Sequence, residues 1–213
     1  MNKILIYGAG GFGREIACLI NSINQVEDQW DLVGFIDDGL AVGKSNNYGE
    51  VLGNLDYLNS FPEEIALAIS VSSPEVLKKL TTEIKNPKVW FPNLIAPDVK
   101  FHDLESFSAG QGNIIFFSCR ISCDVTIGNF NIMNSLVSLG HDVVVGNRNV
   151  FNPTVRVSGD CVVGDDNFFG IQSIVLQGKK IGNNTRIGAC TVIMKNTKDG
   201  SLHFGNPGKI INA

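Results

Sequence analysis

The chain has 213 residues, of which 44% are apolar and 18% are charged, and its formal net charge is −4. These values indicate a folded protein with one large or two small domains. The acidic balance argues against nucleic-acid or membrane partners that require a basic surface. The apolar N-terminus reaches glycines after Tyr7, too early for a spanning helix, and no signal-peptide cleavage pattern follows. The five cysteines lack the paired spacing of a zinc site, which favours a reduced, cytoplasmic protein.

Residues 1–85 have the pattern of alternating strands and helices. The apolar run KILIYG ends in glycine, as a buried parallel strand does. Apolar residues between Ile16 and Ile23 then recur at helical spacing. Two further apolar runs, DLVGFID and IALAISV, read as strands, and Pro74 after two serines marks a helix start. We therefore predict a small α/β parallel-sheet N-terminal domain.

Residues 86–213 contain a hexapeptide repeat. Every sixth residue from Ile115 to Ile193 is apolar, which chance would produce roughly once in a hundred thousand trials for a given phase. A period of six is typical of a parallel β-helix, whereas a sandwich of short strands would show a period of two.

A second period of eighteen residues predicts three strands in each coil and therefore a triangular prism. Residues eighteen apart should stack at the strand spacing of about 4.8 Å. Asparagines at this interval are expected to form a hydrogen-bonded ladder. They are Asn113, Asn131, Asn149 and Asn167.

Both halves resemble one family. The hexads, the His-Asp pair in SLGHDVVVGN and the closing FGNPGK are similar to those of left-handed β-helix acyltransferases. YGAGGFGREI and GFIDD resemble the branch containing bacillosamine and perosamine N-acetyltransferases and sialic-acid O-acetyltransferases. This resemblance implies the left hand of the coil, acetyl-CoA as acyl donor, no metal, and a homotrimer with active sites between subunits.

His141 is the candidate catalytic base. It lies two residues after the apolar hexad position Leu139, so we expect it at a prism edge, outside the core. A histidine can take the proton from an attacking amine, and Asp142 can orient the ring. Gly159, one coil later, would offer its backbone N–H to the oxyanion. The family resemblance implies the same three roles; the alternative is a surface histidine paired with Asp142.

Other residues of the repeat have candidate roles with structural alternatives. Cys123, stacked under His141, could be an acyl-accepting nucleophile or a small filler of the coil. The resemblance implies that Asn134 orients the sugar, although it could also be a polar residue that lines an edge. By the same matching, Val150, Ile171 and Ala189 are acetyl-CoA-binding positions, with Val150 replacing a histidine common in the family.

GAGGFG supplies a G-x-G-x-x-G between a strand and a helix, which is the context of a phosphate-binding loop. Two mononucleotide-binding halves would need about twice the available length, which disfavours a whole dinucleotide. The resemblance implies a nucleotide-linked sugar held by Gly10, Gly11, Phe12, Asp37 and Asp38, with Ser70 a further candidate. The alternative for the two acids is a solvated turn.

We therefore expect an acetyl-CoA-dependent N-acetyltransferase that acts on a nucleotide-linked amino-dideoxysugar, of the 4-amino-4,6-dideoxy class, in bacterial surface-glycan (O-antigen) biosynthesis. A sugar O-acetyltransferase would use the same residues. A non-catalytic nucleotide-sugar-binding protein would keep the glycine loop but not need His141. A metal-dependent hydratase on this fold would need about three clustered histidines, and only one lies in the regular repeat.

Overall fold

The computed structural model describes residues 1–211, and the chain divides into two compact units, Met1–Pro97 and a second unit that begins at Asp98. The division lies after Pro97, whereas the sequence placed it after residue 85. The reason is that a strand at Val89–Trp90 extends the N-terminal sheet by pairing with the strand at Ile65–Ile69.

The N-terminal unit is a six-stranded sheet with three helices, and one further short strand follows it. The strands are β1 Asn2–Tyr7, β2 Trp30–Ile36, β3 Ser45–Asn46, β4 Gly49–Gly53, β5 Ile65–Ile69, β6 Val89–Trp90 and β7 Leu94–Ile95. The helices are α1 Gly11–Asn24, α2 Leu55–Asn59 and α3 Pro74–Glu83. The sheet order is β3-β4-β2-β1-β5-β6, and all its pairings are parallel except β3 with β4.

The predicted apolar pattern forms this core. Ile4, Leu5 and Ile6 of β1 have no exposed surface, and the apolar face of α1 is buried as its helical spacing predicted. The parallel arrangement brings the carboxyl ends of β2, β1 and β5 to one edge of the sheet, with β1 in the middle. Ligands of open α/β sheets bind at such an edge.

The second unit is a parallel β-solenoid with three faces. Face 1 contains β10 Ile114–Ile115, β13 Ile132–Met133, β16 Val150–Phe151, β19 Phe168–Phe169, β22 Arg186–Ile187 and β24 Leu202–Phe204, with β25 Lys209–Ile210 antiparallel at its end. Face 2 contains β8 Lys100–Phe101, β11 Arg120–Ile121, β14 Ser138–Leu139, β17 Arg156–Val157, β20 Ile174–Val175 and β23 Val192–Ile193. Face 3 contains β9 Ser108–Ala109, β12 Thr126–Ile127, β15 Val144–Val145, β18 Val162–Val163 and β21 Lys180–Ile181.

The eighteen-residue register and the apolar interior are confirmed. Ile121, for example, lies beside Leu139, which lies beside Val157. The hexad residues from Ile115 to Ile193 are all at most 3% exposed. The asparagine ladder also forms, since Asn131 Nδ2 donates to Asn113 Oδ1 at 3.1 Å. The ladder continues at Thr185, whose backbone N–H donates to Oδ1 of Asn167. Among the described residues, the Nδ2 of Asn167 has no hydrogen-bond partner.

Four-residue turns connect the faces from β9 to β23, and the turns form three prism edges. The 1–2 edge joins face 1 to face 2, the 2–3 edge joins face 2 to face 3, and the 3–1 edge completes the coil. The third residue of these turns adopts left-handed backbone angles, as at Asp142 with φ 57° and Arg148 with φ 54°. None of the helices in residues 1–211 is long and apolar enough to cross a membrane.

Candidate active site

His141 lies in the turn between β14 and β15, at the 2–3 edge and outside the apolar interior. Its side chain is 51% exposed, and its Nδ1 lies 2.7 Å from Oδ2 of Asp142. The left-handed backbone of Asp142 is a conformation that aspartate tolerates better than most residues. Nδ1 therefore faces the carboxylate, which leaves Nε2 as the ring nitrogen available to another group.

Gly159 lies directly against this ring, one coil later. A methyl group placed on its Cα would be 2.4 Å from Nε2 of His141, so a larger residue could fit only if the ring moved. The Gly159 carbonyl accepts a hydrogen bond from the Gly178 amide at 3.0 Å. In the described part of the chain, the Gly159 N–H itself donates to no acceptor. A ring nitrogen and a free amide therefore occur side by side.

The equivalent amides at the 3–1 edge have hydrogen-bond acceptors. There the N–H of Asn129 donates to Oδ1 of Asn147 at 2.9 Å, and the N–H of Asn147 donates to Oδ1 of Asp165 at 2.8 Å. Each amide is capped by a side chain from the next coil, and a cap of this kind is what Gly159 lacks. The free amide thus reflects local sequence, because the backbone turn is the same.

Cys123 and Asn134 have contacts within the solenoid. The Cys123 sulfur lies 4.0 Å from the Ser122 hydroxyl, and residues 1–211 show no hydrogen bond between it and His141. Asn134 Nδ2 donates to the Phe151 carbonyl at 3.2 Å, and Asn152 repeats this contact one coil later. This repetition is what an edge-lining residue would show, so contact of Asn134 with a sugar stays a prediction.

A largely apolar cavity of about 440 Å³ contains two of the three predicted coenzyme positions. Ile171 and Ala189 line it at the 1–2 edge, and within the described residues their backbone N–H groups are unpaired. Aromatic rings and aliphatic side chains form most of the remaining wall, together with Arg186, whose guanidinium lies 5.5 Å from the ring centre of Phe168. Val150 does not line this cavity and has no exposed surface, so its side chain is closed to a ligand here.

The glycine loop leaves its backbone open at the start of α1. Methyl groups placed on Gly10 or Gly11 would meet no atom within 4 Å. The helix begins with no side-chain cap and no acidic residue in its first turn, and Phe12 is half-buried there. A helix start of this kind attracts phosphate through its amides and its dipole. Gly8, at φ +103°, makes the turn from β1 possible.

The remaining N-terminal candidates, Asp37, Asp38 and Ser70, all make hydrogen bonds within the N-terminal unit. Asp37 accepts hydrogen bonds from the amides of Ala9 and Gly39, both at 2.9 Å. Asp38 accepts from the Tyr7 hydroxyl and from the Leu55 amide. The Ser70 hydroxyl donates to the Gly8 carbonyl at 2.9 Å and would obstruct any side chain there. The structure therefore brings Asp37 and Ser70 to the glycine loop, where their contacts shape it.

Comparison with known proteins supports the two-part architecture. Residues 3–84 match the family model of the PglD N-terminal domain. The acetyltransferase domain of PglB from Neisseria gonorrhoeae is 22% identical with a TM-score of 0.90, over 99% of this chain and 100% of that chain. PerB from Caulobacter crescentus, in complex with CoA and GDP-perosamine, is 24% identical with a TM-score of 0.86, over 100% and 98%. The chain has the fold of the PglB acetyltransferase domain and of PerB.

WeeI from Acinetobacter baumannii is 25% identical with a TM-score of 0.87, and the match covers 99% of this chain and 100% of that chain. A search of curated proteins found no match. The match to the PglB acetyltransferase domain confirms the predicted α/β domain followed by a parallel β-helix. Within residues 1–211, no cluster of three or more histidine, cysteine, aspartate or glutamate side chains could hold a metal ion.

Two residues beside the candidate sites, Tyr7 and Arg186, were missed by sequence reasoning. Tyr7 is buried at the end of β1, where burial and its hydrogen bond to Asp38 raise the pKa of the phenol. Its place after an apolar run that leads into the glycine loop was the available signal. Arg186 belongs to the outward row of face 1, where it pairs with Phe168, and the eighteen-residue register could have placed them together.

Proposed function

We propose that the protein is an acetyl-CoA-dependent N-acetyltransferase that acts on a nucleotide-linked amino-dideoxysugar. One observation supports this above all: His141, bonded to Asp142, turns Nε2 toward Gly159, whose amide is unpaired. A base and an oxyanion donor side by side are the two groups that acyl transfer to an amine needs. The ligands named for the PerB structure, CoA and GDP-perosamine, match this chemistry.

The reaction is an attack of the sugar amine on the thioester carbonyl. Nε2 of His141 removes a proton from the amine as the new C–N bond forms, and the Nδ1–H hydrogen bond to Asp142 steadies the resulting imidazolium. The N–H of Gly159 donates to the oxyanion of the tetrahedral intermediate. Collapse of the intermediate breaks the C–S bond, and the coenzyme thiolate takes the proton from His141. The products are the N-acetylated sugar and free CoA.

The cavity at Ile171 and Ala189 fits the pantetheine arm of acetyl-CoA. Its walls are apolar, as the arm requires, and its two free amides can donate to the amide carbonyls of the arm. We assign no contact to Val150, because its side chain is buried.

The N-terminal unit is the proposed site for the nucleotide part of the acceptor sugar. The open backbone at Gly10 and Gly11 would receive a diphosphate, with Phe12 beside it, and Asp37 would hold the loop in this shape while Asp38 faces the nucleoside. The sugar is proposed to be a 4-amino-4,6-dideoxy sugar for bacterial surface glycans such as O-antigen.

We also propose a cytoplasmic homotrimer. Ile171 and Ala189 lie at the 1–2 edge and His141 at the 2–3 edge, so a coenzyme that touches both can do so between neighbouring copies. A half-exposed histidine would also gain from a neighbour that excludes water from the thioester. The cytoplasm supplies acetyl-CoA, and the five cysteines are unpaired, as is usual there.

The decisive test measures thiol release from acetyl-CoA with a panel of nucleotide-linked 4-amino and 3-amino sugars and their hydroxyl counterparts. We expect turnover with an amino sugar, and the preferred nucleobase and position will identify the substrate. Turnover only with hydroxyl acceptors would make the protein an O-acetyltransferase. Binding without turnover across the panel, by a folded protein that also binds CoA, would contradict catalysis.

A further inference from the structure

The outward row of face 2 is strongly basic. Lys100 lies beside Arg120, Arg120 beside Ser138, and Ser138 beside Arg156 in the strand register. Three cations therefore occupy four successive strands, with neighbours about 4.8 Å apart along the backbone. We call Lys100, Arg120 and Arg156 the cationic row.

No internal contact accounts for this row. All three side chains are exposed, and residues 1–211 contain no ion pair or side-chain hydrogen bond to any of them. Arg148, in contrast, binds Asp166 with its Nε at 2.6 Å. Like charges on neighbouring strands repel, and the row persists in a chain whose net charge is −4. An anion from outside the chain would remove the repulsion.

Grooves lie on both sides of the row. One, of about 400 Å³, is lined by Arg120, Arg156 and the hydroxyls of Ser118, Ser138 and Thr154, with Leu136. The other groove, of about 320 Å³, is lined by the same two arginines and also by His102, Ser122, Ser158 and His141. Guanidinium groups bind phosphate through paired N–H donors, and hydroxyls supply further donors. The second groove connects the row to the proposed catalytic base.

We propose that the cationic row is a binding site for a diphosphate-class anion, separate from the glycine loop and from the cavity at Ile171. Arg120 and Arg156 are two strands apart, about 10 Å along the backbone. Their long side chains can converge from both sides on phosphates placed above Ser138. Both the nucleotide sugar and the coenzyme carry a diphosphate, and either could supply the anion.

The experiment uses inorganic pyrophosphate as the probe on the full chain, measured by calorimetric titration and thermal denaturation. We expect pyrophosphate to raise the Tm of the unmodified protein, because ligands stabilise the state they bind. In the double variant Arg120→Gln/Arg156→Gln, the binding event assigned to the cationic row should weaken at least about tenfold, since two charge-assisted contacts are lost, while binding at the glycine loop should persist. Lys180→Gln, which removes an exposed cation from face 3, is the matched control and should bind normally.

The same titration with His141→Ala separates this site from the proposed reaction, because anion binding should survive when turnover is lost. Arg156→Lys keeps the charge but not the paired donors, so an intermediate loss of affinity is expected even if the double variant folds poorly. A greater loss of affinity for CoA than for pantetheine in the double variant would identify the coenzyme as the source. A greater loss for a nucleoside diphosphate than for its nucleoside would identify the nucleotide sugar as the source.

Two results would overturn the proposal. One is pyrophosphate binding that is absent, or equal in the unmodified protein and the double variant. The other is a double variant that changes oligomeric mass while pyrophosphate has no effect on the unmodified protein. That second result would show that carboxylates of another copy cover the row.

Discussion

The 2–3 edge and the 3–1 edge of the solenoid have the same backbone turn but differ in hydrogen bonding. The turn amides of Asn129 and Asn147 at the 3–1 edge have acceptors, and the amide of Gly159 at the 2–3 edge has none in the described structure. At the 3–1 edge, amide or carboxylate side chains cap the turn amides from the next coil, as Asn147 does for Asn129. At the 2–3 edge the sequence supplies His141 and Gly159 instead, and the Gly159 amide stays free. A repeat can thus leave a backbone amide free for a ligand through the omission of a stabilising cap, with no change of fold.

Replacement of His141 with alanine should have the largest effect. General bases contribute about 10²- to 10⁴-fold, so we expect kcat for thiol release to fall on the order of 10³-fold. The half-exposed side chain packs little, and Tm should not change. Turnover near the unmodified value would show that the 2–3 edge is not the reactive edge.

Gly159→Ala should come next. The added methyl group would displace the His141 ring and cover the free amide, and loss of one oxyanion donor costs about 10²-fold or more in kcat. Thermal denaturation serves as the control, because the ring can move aside without unfolding the coil. A normal kcat together with normal stability would mean that this amide takes no part.

Asp142→Asn tests whether a neighbouring subunit covers the 2–3 edge. Asparagine also tolerates the left-handed backbone, so the turn should persist. The carboxylate is 60% exposed, and an exposed pair is worth up to about 1 kcal/mol, so kcat should fall roughly fivefold. A loss above about 100-fold in steady-state assays would indicate that a neighbouring subunit buries the pair.

Asn147→Ala tests the 3–1 edge, where side chains cap the turn amides. It removes the acceptor for both the backbone N–H and the Nδ2 of Asn129, so urea denaturation should show a loss of about 1–2 kcal/mol. The kcat per folded molecule should be unchanged. A loss of activity with unchanged stability would reverse the roles assigned to the two edges.

Cys123→Ala should have the smallest effect. The sulfur has no bond to His141 in the described structure, so we expect unchanged turnover and no burst of thiol release that depends on this cysteine. Mass spectrometry of the protein after incubation with acetyl-CoA provides the second measurement. An acetyl group on Cys123 would instead support a covalent route.

Most of the fold prediction rested on the six-residue and eighteen-residue periods of the sequence. The hexad positions from Ile115 to Ile193 all became core, and Asn113 and Asn131 formed the expected ladder. A strict period fixes which side chains point inward, so burial and register follow from it. The unit boundary was harder to place, because β6 consists of only two residues, Val89–Trp90, and has no period of its own.

Site geometry was predictable only where the register determined it. The eighteen-residue spacing placed Gly159 beside His141, and this juxtaposition is present. The register alone did not show that Val150 is buried, although the outward row of face 1 is apolar at Ile114 and Ile132 and buried at both. The hydrogen bond between Asp37 and the Ala9 amide of the glycine loop depends on how the strand ends meet, which no local pattern specifies.

The antiparallel strand β25 has a consequence for solubility. Every other strand of face 1 pairs in parallel with the coil before it, and such a stack offers its last strand as a template for another chain. β25 runs the opposite way across β24 and occupies those donors and acceptors. A second molecule that approached this end of face 1 would meet a short reversed strand in place of the parallel edge that the coils would otherwise present.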